Sequence, residues 1–262
     1  MLRALVAHGL APDLVIGSSV GAINGAYVAG APDANGVAQL AAIWGGLRRG
    51  TVFPLAWRGL LGLPGHRGFA VNPAGLRRLL EQCLPYARFE RASMPLYVVA
   101  TDLLHGGTVC LSSGSVVDAV LASCAIPAVF PPVRIGEQYL IDGAIASNTP
   151  VSVAIEFGAT RVIVLPTGFA CALEAPPRST IASALHAITL LIAHQWVMEL
   201  ERYREQAEII TVPPLCPLAT SPYDFSHAGE LIERAAEQTA RWLARDGLVR
   251  PRVPPALRAH SH

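Results

Sequence analysis

The segment Gly17-Ser18-Ser19-Val20-Gly21 does most to restrict what this chain can fold into. It lies between the apolar run Leu14-Val15-Ile16 and the small-residue stretch Ala22-Ile23-Asn24-Gly25-Ala26. A G-x-S-x-G pattern in that setting predicts a strand, a tight turn and a helix. A serine at such a turn is lifted clear of its own backbone, and Gly17 and Gly21 let neighbouring chain and substrate approach it closely. The helix that follows points its N-terminal N–H groups and positive dipole end at the serine, which suits an anion forming during acyl transfer. Ser19 is therefore the candidate nucleophile. Ser18 lies one place too early for the pattern and is expected to make a local hydrogen bond in the turn. Gly21, Gly25 and Ala29 recur every four residues and predict one smooth helix face for close packing.

Further strand-like runs are Leu96 to Thr101, Thr108 to Leu111, Tyr139 to Ile141, Arg161 to Pro166 and Glu208 to Val212. Their alternation with helical patterns predicts an α/β fold with a largely parallel sheet covered by helices on both faces. Asn72 before Pro73 reads as a helix cap with proline at the first helical position. Ser115 with Asp118 has the spacing of a capping box. Ser226 is expected to cap a last helix that runs to about Arg245 and ends at Gly247. No internal repeat or linker divides the pattern, so residues 1–247 are read as one domain, and residues 248–262 as a disordered tail. Residues 45–72, rich in Gly, Pro, Trp, Leu and Arg, read as an apolar insertion or lid.

With 52% hydrophobic and 15% charged residues among 262, the chain has little charge to spare for disorder and enough length for a large core. Twenty basic against nineteen acidic residues, with no run of Lys or Arg, exclude an electrostatic case for nucleic acid. Apolar or neutral partners are expected. The five cysteines are odd in number and widely spaced, and they read as reduced core residues of a cytoplasmic protein without a zinc site. The first residues, Met1 to Gly9, are too short in apolar content for a signal peptide. Two uncharged stretches are read as buried structure rather than membrane spans: Leu14 to Pro32 as strand, turn and helix, and Ser179 to Met198 as a core or interfacial helix.

A serine hydroxyl needs a base within hydrogen-bond reach. Among eight histidines, His227 at the opening of the last helix is the best placed, although an exposed first-turn residue is the more ordinary reading of it. The strongest carboxylate is Asp142, which follows the apolar run Tyr139-Leu140-Ile141 and precedes Gly143-Ala144, so it should emerge at a strand end. Asp118 reads as a cap, Asp102 as a strand end, and Asp13 and Asp33 as turn residues.

These residues resemble the patatin-like phospholipases and acyl hydrolases. The resemblance rests on Asp13 to Gly25, on Ala122-Ser123-Cys124-Ala125-Ile126-Pro127-Ala128-Val129-Phe130-Pro131-Pro132, and on Asp142-Gly143-Ala144 through Asn148-Thr149-Pro150-Val151. It implies a three-layer α/β/α sandwich with a mostly parallel central sheet. It also implies a Ser/Asp dyad without histidine, in which Ser19 is the nucleophile and Asp142 the proton acceptor, with neither metal nor cofactor. One departure stands out. The family's glycine-rich loop, which supplies much of the oxyanion hole, comes before the helix that matches Met1 to His8, and the donor expected from this sequence is the N–H of Val20. The leading expectation is a lipid acyl hydrolase that frees fatty acid from ester lipids and touches a membrane peripherally. The insertion, with Trp44, Phe53 and Trp57 beside Arg48, Arg49 and Arg58, forms either an acyl pocket, a bilayer-facing surface or ordinary packing over the sheet. Two alternatives stay open: a patatin-like lipid-binding protein without turnover, and an α/β-hydrolase with a Ser-Asp-His triad.

Overall fold

The computed structural model describes residues 1–47, 71–167, 175–176, 180–218 and 225–249. Most of the insertion and the tail, with Phe53, Trp57, Arg48, Arg49 and Arg58, lie outside the described residues. The described elements begin with α1 (Leu2–Ala7), β1 (Val15–Ser18), α2 (Val20–Gly30), α3 (Ala34–Gly46), α4 (Ala74–Cys83), β2 (Leu96–Asp102), β3 (Thr108–Leu111) and α5 (Val116–Ser123). They continue with β4 (Val133–Ile135), β5 (Gln138–Asp142), α6 (Ala144–Ser147), α7 (Val151–Glu156), β6 (Arg161–Val164), α8 (Thr180–Tyr203), β7 (Glu208–Thr211) and α9 (Ala228–Leu243). Two compact units result, one of residues 11–150 and one of residues 1–10 with 151–262.

In the unit of residues 11–150, β2 is the organising strand. Its residues 96–102 are nearly all buried, as the continuous run Leu96-Tyr97-Val98-Val99-Ala100-Thr101 predicts for a strand covered on both faces. β3 pairs antiparallel along one edge, from Val98↔Leu111 to Thr101↔Thr108. A strand has two edges, so β1 and β5 must share the other. β1 runs parallel to β2 and ends with Ser18 opposite Val99, while β5 runs antiparallel and ends with Asp142 opposite Ala100. Two strands approaching from opposite directions therefore end at consecutive residues of a third. β4 pairs with β5 through a hairpin at Gly136 and Glu137, with Gly136 at φ 59°.

The α/β class is the one expected. The sheet of this unit is mixed, because the short connections after Asp102 and Ile135 can only join antiparallel neighbours. Parallel pairing holds for β1 with β2 and for β6 with β7. β4, three residues directly after Pro131-Pro132, carried too little pattern to be read as a strand. α2 packs on β1 and β2 through Gly25, where an added Cβ would lie 2.9 Å from Val15 Cγ1. Capping follows the sequence at Ser115, whose Oγ accepts the Asp118 N–H at 3.2 Å, whereas α4 has Pro73 rather than Asn72 in the capping position, with Asn72 Oδ1 accepting the Ala74 N–H at 2.9 Å just before it.

In the other unit β6 and β7 pair in parallel from Arg161↔Glu208 to Val164↔Thr211, with α8 between them in sequence. Val151, Val164, Trp196, Leu200 and Ile209 form one core cluster, and Leu5, Val212 and Leu243 another. α8 covers the second uncharged stretch. Among the described residues no helix is long and apolar enough to cross a membrane. α9 starts at Ala228, with His227 rather than Ser226 in the capping position and no side-chain cap, because a turn with the Ala228 N–H on the Phe225 carbonyl precedes it. It stops at Leu243. The left-handed residue there is Asp246, at φ 58°, and the Gly247 N–H closes onto the Trp242 carbonyl.

Candidate active site

Ser19 sits between β1 and α2 with φ 53° and ψ −124°. A positive φ is unfavourable for a residue with a Cβ, and such conformations cost of order 1–3 kcal/mol unless the surroundings over-determine them. They do here. The backbone doubles back so closely that a Cβ on Gly17 would lie 2.3 Å from the Gly21 carbonyl oxygen, so this position is closed to any side chain. The Cβ direction of Gly21 is open, with nothing within 4 Å among the described residues. α2 begins at Val20, so the N–H groups of its first turn, those of Val20 and Gly21 included, have no carbonyl within the helix to bond.

Ser18 does not make the turn hydrogen bond expected of it. It still belongs to β1, and its buried hydroxyl has no hydrogen-bond partner among the described residues. It lies against Gly143, where an added Cβ would come within 2.6 Å of the Ser18 Oγ and 2.1 Å of the Val99 carbonyl oxygen. Gly143 is thus fixed as glycine by the meeting of β1 and β5 over β2.

That meeting brings Ser19 and Asp142 together. The Ser19 hydroxyl donates to Asp142 Oδ2 at 2.7 Å, and the Ala144 N–H donates to Oδ1 at 2.9 Å. Thr101, 1% exposed, donates its hydroxyl to the Asp142 carbonyl at 2.9 Å and accepts the Ala146 N–H at 3.1 Å. Asp142 is itself 4% exposed. Burial raises its carboxyl from the ordinary 3.8 to about 6, against the opposing pull of the Ala144 N–H and the Ser19 hydroxyl. A carboxylate with that value is ionised at neutral pH, yet basic enough to accept a proton from a hydroxyl under attack.

Two further side chains reach Ser19 from the C-terminal end of α5. Ser123 Oγ accepts the Ser19 N–H at 2.8 Å and donates to the Val99 carbonyl at 2.6 Å, and the Cys124 thiol donates to the Ser19 carbonyl at 3.2 Å. Reading single residues for chemistry missed Ser123, Cys124 and Thr101, because each acts on main chain. The available signal was the Ala122-Ser123-Cys124 stretch, whose polar residues interrupt an apolar helix.

The other candidates lie elsewhere. His227 is beside Glu230 at the start of α9, with its side chain 55% exposed. His105 hydrogen-bonds Asp102, whose carboxylate also accepts the N–H groups of Leu104 and His105 and the Gln138 amide, pinning the loop after β2. Trp44 donates to Asn24 Oδ1 at 2.7 Å. Among the described residues no cluster of three or more His, Cys, Asp or Glu side chains is gathered to hold a metal ion.

Comparison with known proteins agrees with this arrangement of elements. The family model for patatin-like phospholipase matches residues 1–155. The chain belongs to the patatin-like phospholipase family. An uncharacterized NTE family protein of Mycobacterium tuberculosis is 36% identical over 76 residues, which is 29% of this chain and 13% of that protein. A putative patatin-like phospholipase domain-containing protein of Caenorhabditis elegans is 25% identical over 173 residues, 64% of this chain and 15% of its own length. The matched part is thus a small fraction of both relatives. Among solved structures, VipD from Legionella pneumophila is 17% identical with a TM-score of 0.25, over 68% of this chain and 38% of that one.

Proposed function

We propose that the protein is a serine lipid acyl hydrolase that works through Ser19 and Asp142. Ser19 Oγ attacks the ester carbonyl carbon while Asp142 takes the hydroxyl proton. The resulting oxyanion develops beside the first-turn N–H of Val20, at the positive end of α2. Collapse of this intermediate breaks the ester bond. The alcohol leaves with the proton held by Asp142, and an acyl-serine remains. Water then attacks that ester with Asp142 again as base, releasing the fatty acid and restoring Ser19. Neither step needs a metal or cofactor.

The observation that carries this reading is the 2.7 Å hydrogen bond from Ser19 to a buried carboxylate, made at a backbone turn that only close packing sustains. Family membership supplies the substrate class, an ester lipid. Peripheral contact with a membrane is supported by the loop after β2, which lies in the direction in which β1 runs. It exposes Leu103 at 45% and Leu104 at 69%.

Ser19→Ala should abolish hydrolysis of short p-nitrophenyl esters and covalent labelling by a fluorophosphonate, while Ser18→Ala keeps most of both. Stoichiometric labelling that survives Ser19→Ala would refute the assignment. A wild-type protein that binds lipid but neither labels nor turns over would establish the binding-protein alternative.

A further inference from the structure

The short segment at the C-terminal end of α5, residues 123–125, is bonded to both halves of the site at once. On the nucleophile side it supplies side chains: Ser123 Oγ receives the Ser19 N–H at 2.8 Å, and the Cys124 thiol reaches the Ser19 carbonyl at 3.2 Å. On the acid side it supplies main chain: the Gly143 N–H donates to the Ser123 carbonyl at 3.1 Å, and the Asp142 N–H donates to the Ala125 carbonyl at 3.0 Å. These carbonyls are available because a helix ends here, and the last carbonyls of a helix have no partner within it.

The polarity of the Ser123 contact is determined. A hydroxyl has one proton and two lone pairs. The Ser123 proton is directed at the Val99 carbonyl at 2.6 Å, so the oxygen is left to accept from Ser19. A chain of bonds then runs from the nucleophile's amide through Ser123 to β2, in a residue that is 0% exposed. The N–H it captures belongs to the one residue of the elbow whose φ is positive and which is not glycine. That amide follows the last β1–β2 pair, Ser18↔Val99, and the Ser123 hydroxyl stands between it and the Val99 carbonyl.

We propose that Ser123 is a positioning residue for hydrolysis, and that the segment 123–125 sets the separation of Ser19 from Asp142 by holding both backbones. This inference rests on the Ser19 and Asp142 reading above. The hydroxyl touches neither substrate nor reacting atoms. It acts by keeping Ser19 Oγ within hydrogen-bond reach of Asp142, and misplacing a reacting group by about 1 Å can cost about a hundredfold in rate.

The test compares Ser123→Ala, Ser123→Cys and Val116→Ala in the full chain, with a short p-nitrophenyl ester as substrate and fluorophosphonate labelling as a second measure. Val116 lies at the far end of α5 and is 0% exposed, so its truncation loosens the helix without touching the elbow. Ser123→Ala should lower kcat about thirtyfold or more, with KM changed less than about twofold. Ser123→Cys keeps the size of the side chain but replaces a good acceptor with a poor one, and it should show the same split if the alanine variant fails to fold. Losing the Ser19 contact also removes a hydrogen bond that favours the Asp142 carboxylate, so the acid limb of the kcat profile should move to higher pH in both Ser123 variants. Val116→Ala should lower stability and leave kcat and the limb in place. The proposal is overturned if the Ser123 variants keep full kcat, or if Val116→Ala reproduces their kinetic losses. Ser19→Ala and Asp142→Asn run alongside: if those two remain active the hydrolase reading itself fails, whereas if they are dead and the Ser123 variants are not, only the positioning role is lost.

Discussion

Replacing Asp142 by asparagine should make the protein more stable and inactive at the same pH. In the folded chain the carboxyl ionises near 6, and in the unfolded chain near 3.8. Between those values the folded state binds the proton and the unfolded state does not, so stability falls as pH rises from about 4 to about 6 and is level above. The gap is about two pH units, or about 3 kcal/mol at 1.36 kcal/mol per unit. Asparagine keeps the acceptor for the Ala144 N–H and carries no charge to desolvate. Its amide faces Ser19 Oγ, which must then accept instead of donate, so part of the gain is lost to a hydroxyl proton that has to find a new partner. Asp142→Asn should therefore exceed wild type by about 1–3 kcal/mol at pH 8 and match it or fall below it at pH 4. Urea unfolding followed by tryptophan fluorescence at the two pH values measures this. All other titrating groups are common to both proteins, so the change in their difference isolates Asp142. Hydrolysis by the variant should drop at least about a hundredfold at pH 8. A stability difference that is the same at pH 4 and pH 8 would refute the argument that burial holds this carboxyl up.

Three other outcomes are expected. For the wild type, log kcat/KM against a neutral ester should rise with unit slope and level off above a pH near 6, and a limb below pH 4.5 would mean that a solvated carboxylate is the base. Gly143→Ala should cost at least about 2–3 kcal/mol in urea unfolding, because the added methyl meets a β2 carbonyl that cannot move without breaking the sheet; a loss under 0.5 kcal/mol, to one significant figure, would contradict the packing. Leu103→Ser combined with Leu104→Ser should leave soluble ester turnover intact and reduce hydrolysis and sedimentation with phosphatidylcholine vesicles by about tenfold, and unchanged vesicle activity would remove this loop from any membrane contact.

The legible parts of the sequence were those in which local chemistry decides the outcome. Gly17 to Gly21 could be placed because an elbow of this kind needs small residues at fixed offsets, and the cap at Ser115 is decided within four residues. The mixed sheet was not legible. Whether β5 runs with β2 or against it depends on a two-residue turn at Gly136-Glu137 and on β4, whose three residues are too few to show alternation. The role of Ser18 was misread because its environment is made by Gly143, far away in sequence, which faces its hydroxyl with a Cα rather than a partner. Ser123 escaped for the opposite reason: its work is done on the backbone of another residue, and a residue that bonds main chain leaves no pattern of its own at the site it serves.

Three local costs coincide where β1 and β5 end against β2. Ser19 holds a positive φ, Asp142 is a carboxylate buried from water, and Ser18 has a buried hydroxyl with no partner among the described residues. Each lowers stability by itself, and none is needed to build a sheet. A chain selected only for folding would place alanine or valine at these positions and extend β1 or β5 by a residue. Here the strands end opposite consecutive residues of β2, Gly17 and Gly143 clear the space, and Ser123 and Thr101 satisfy main-chain groups that the arrangement leaves open. Local rules are broken together within a few ångströms and compensated by neighbours, which is the pattern expected of a site kept for its chemistry. Because the separation of hydroxyl and carboxylate follows from where two strands end on a third, a one-residue deletion in β5 should abolish activity even where the sheet re-pairs, since it moves the carboxylate to the opposite face.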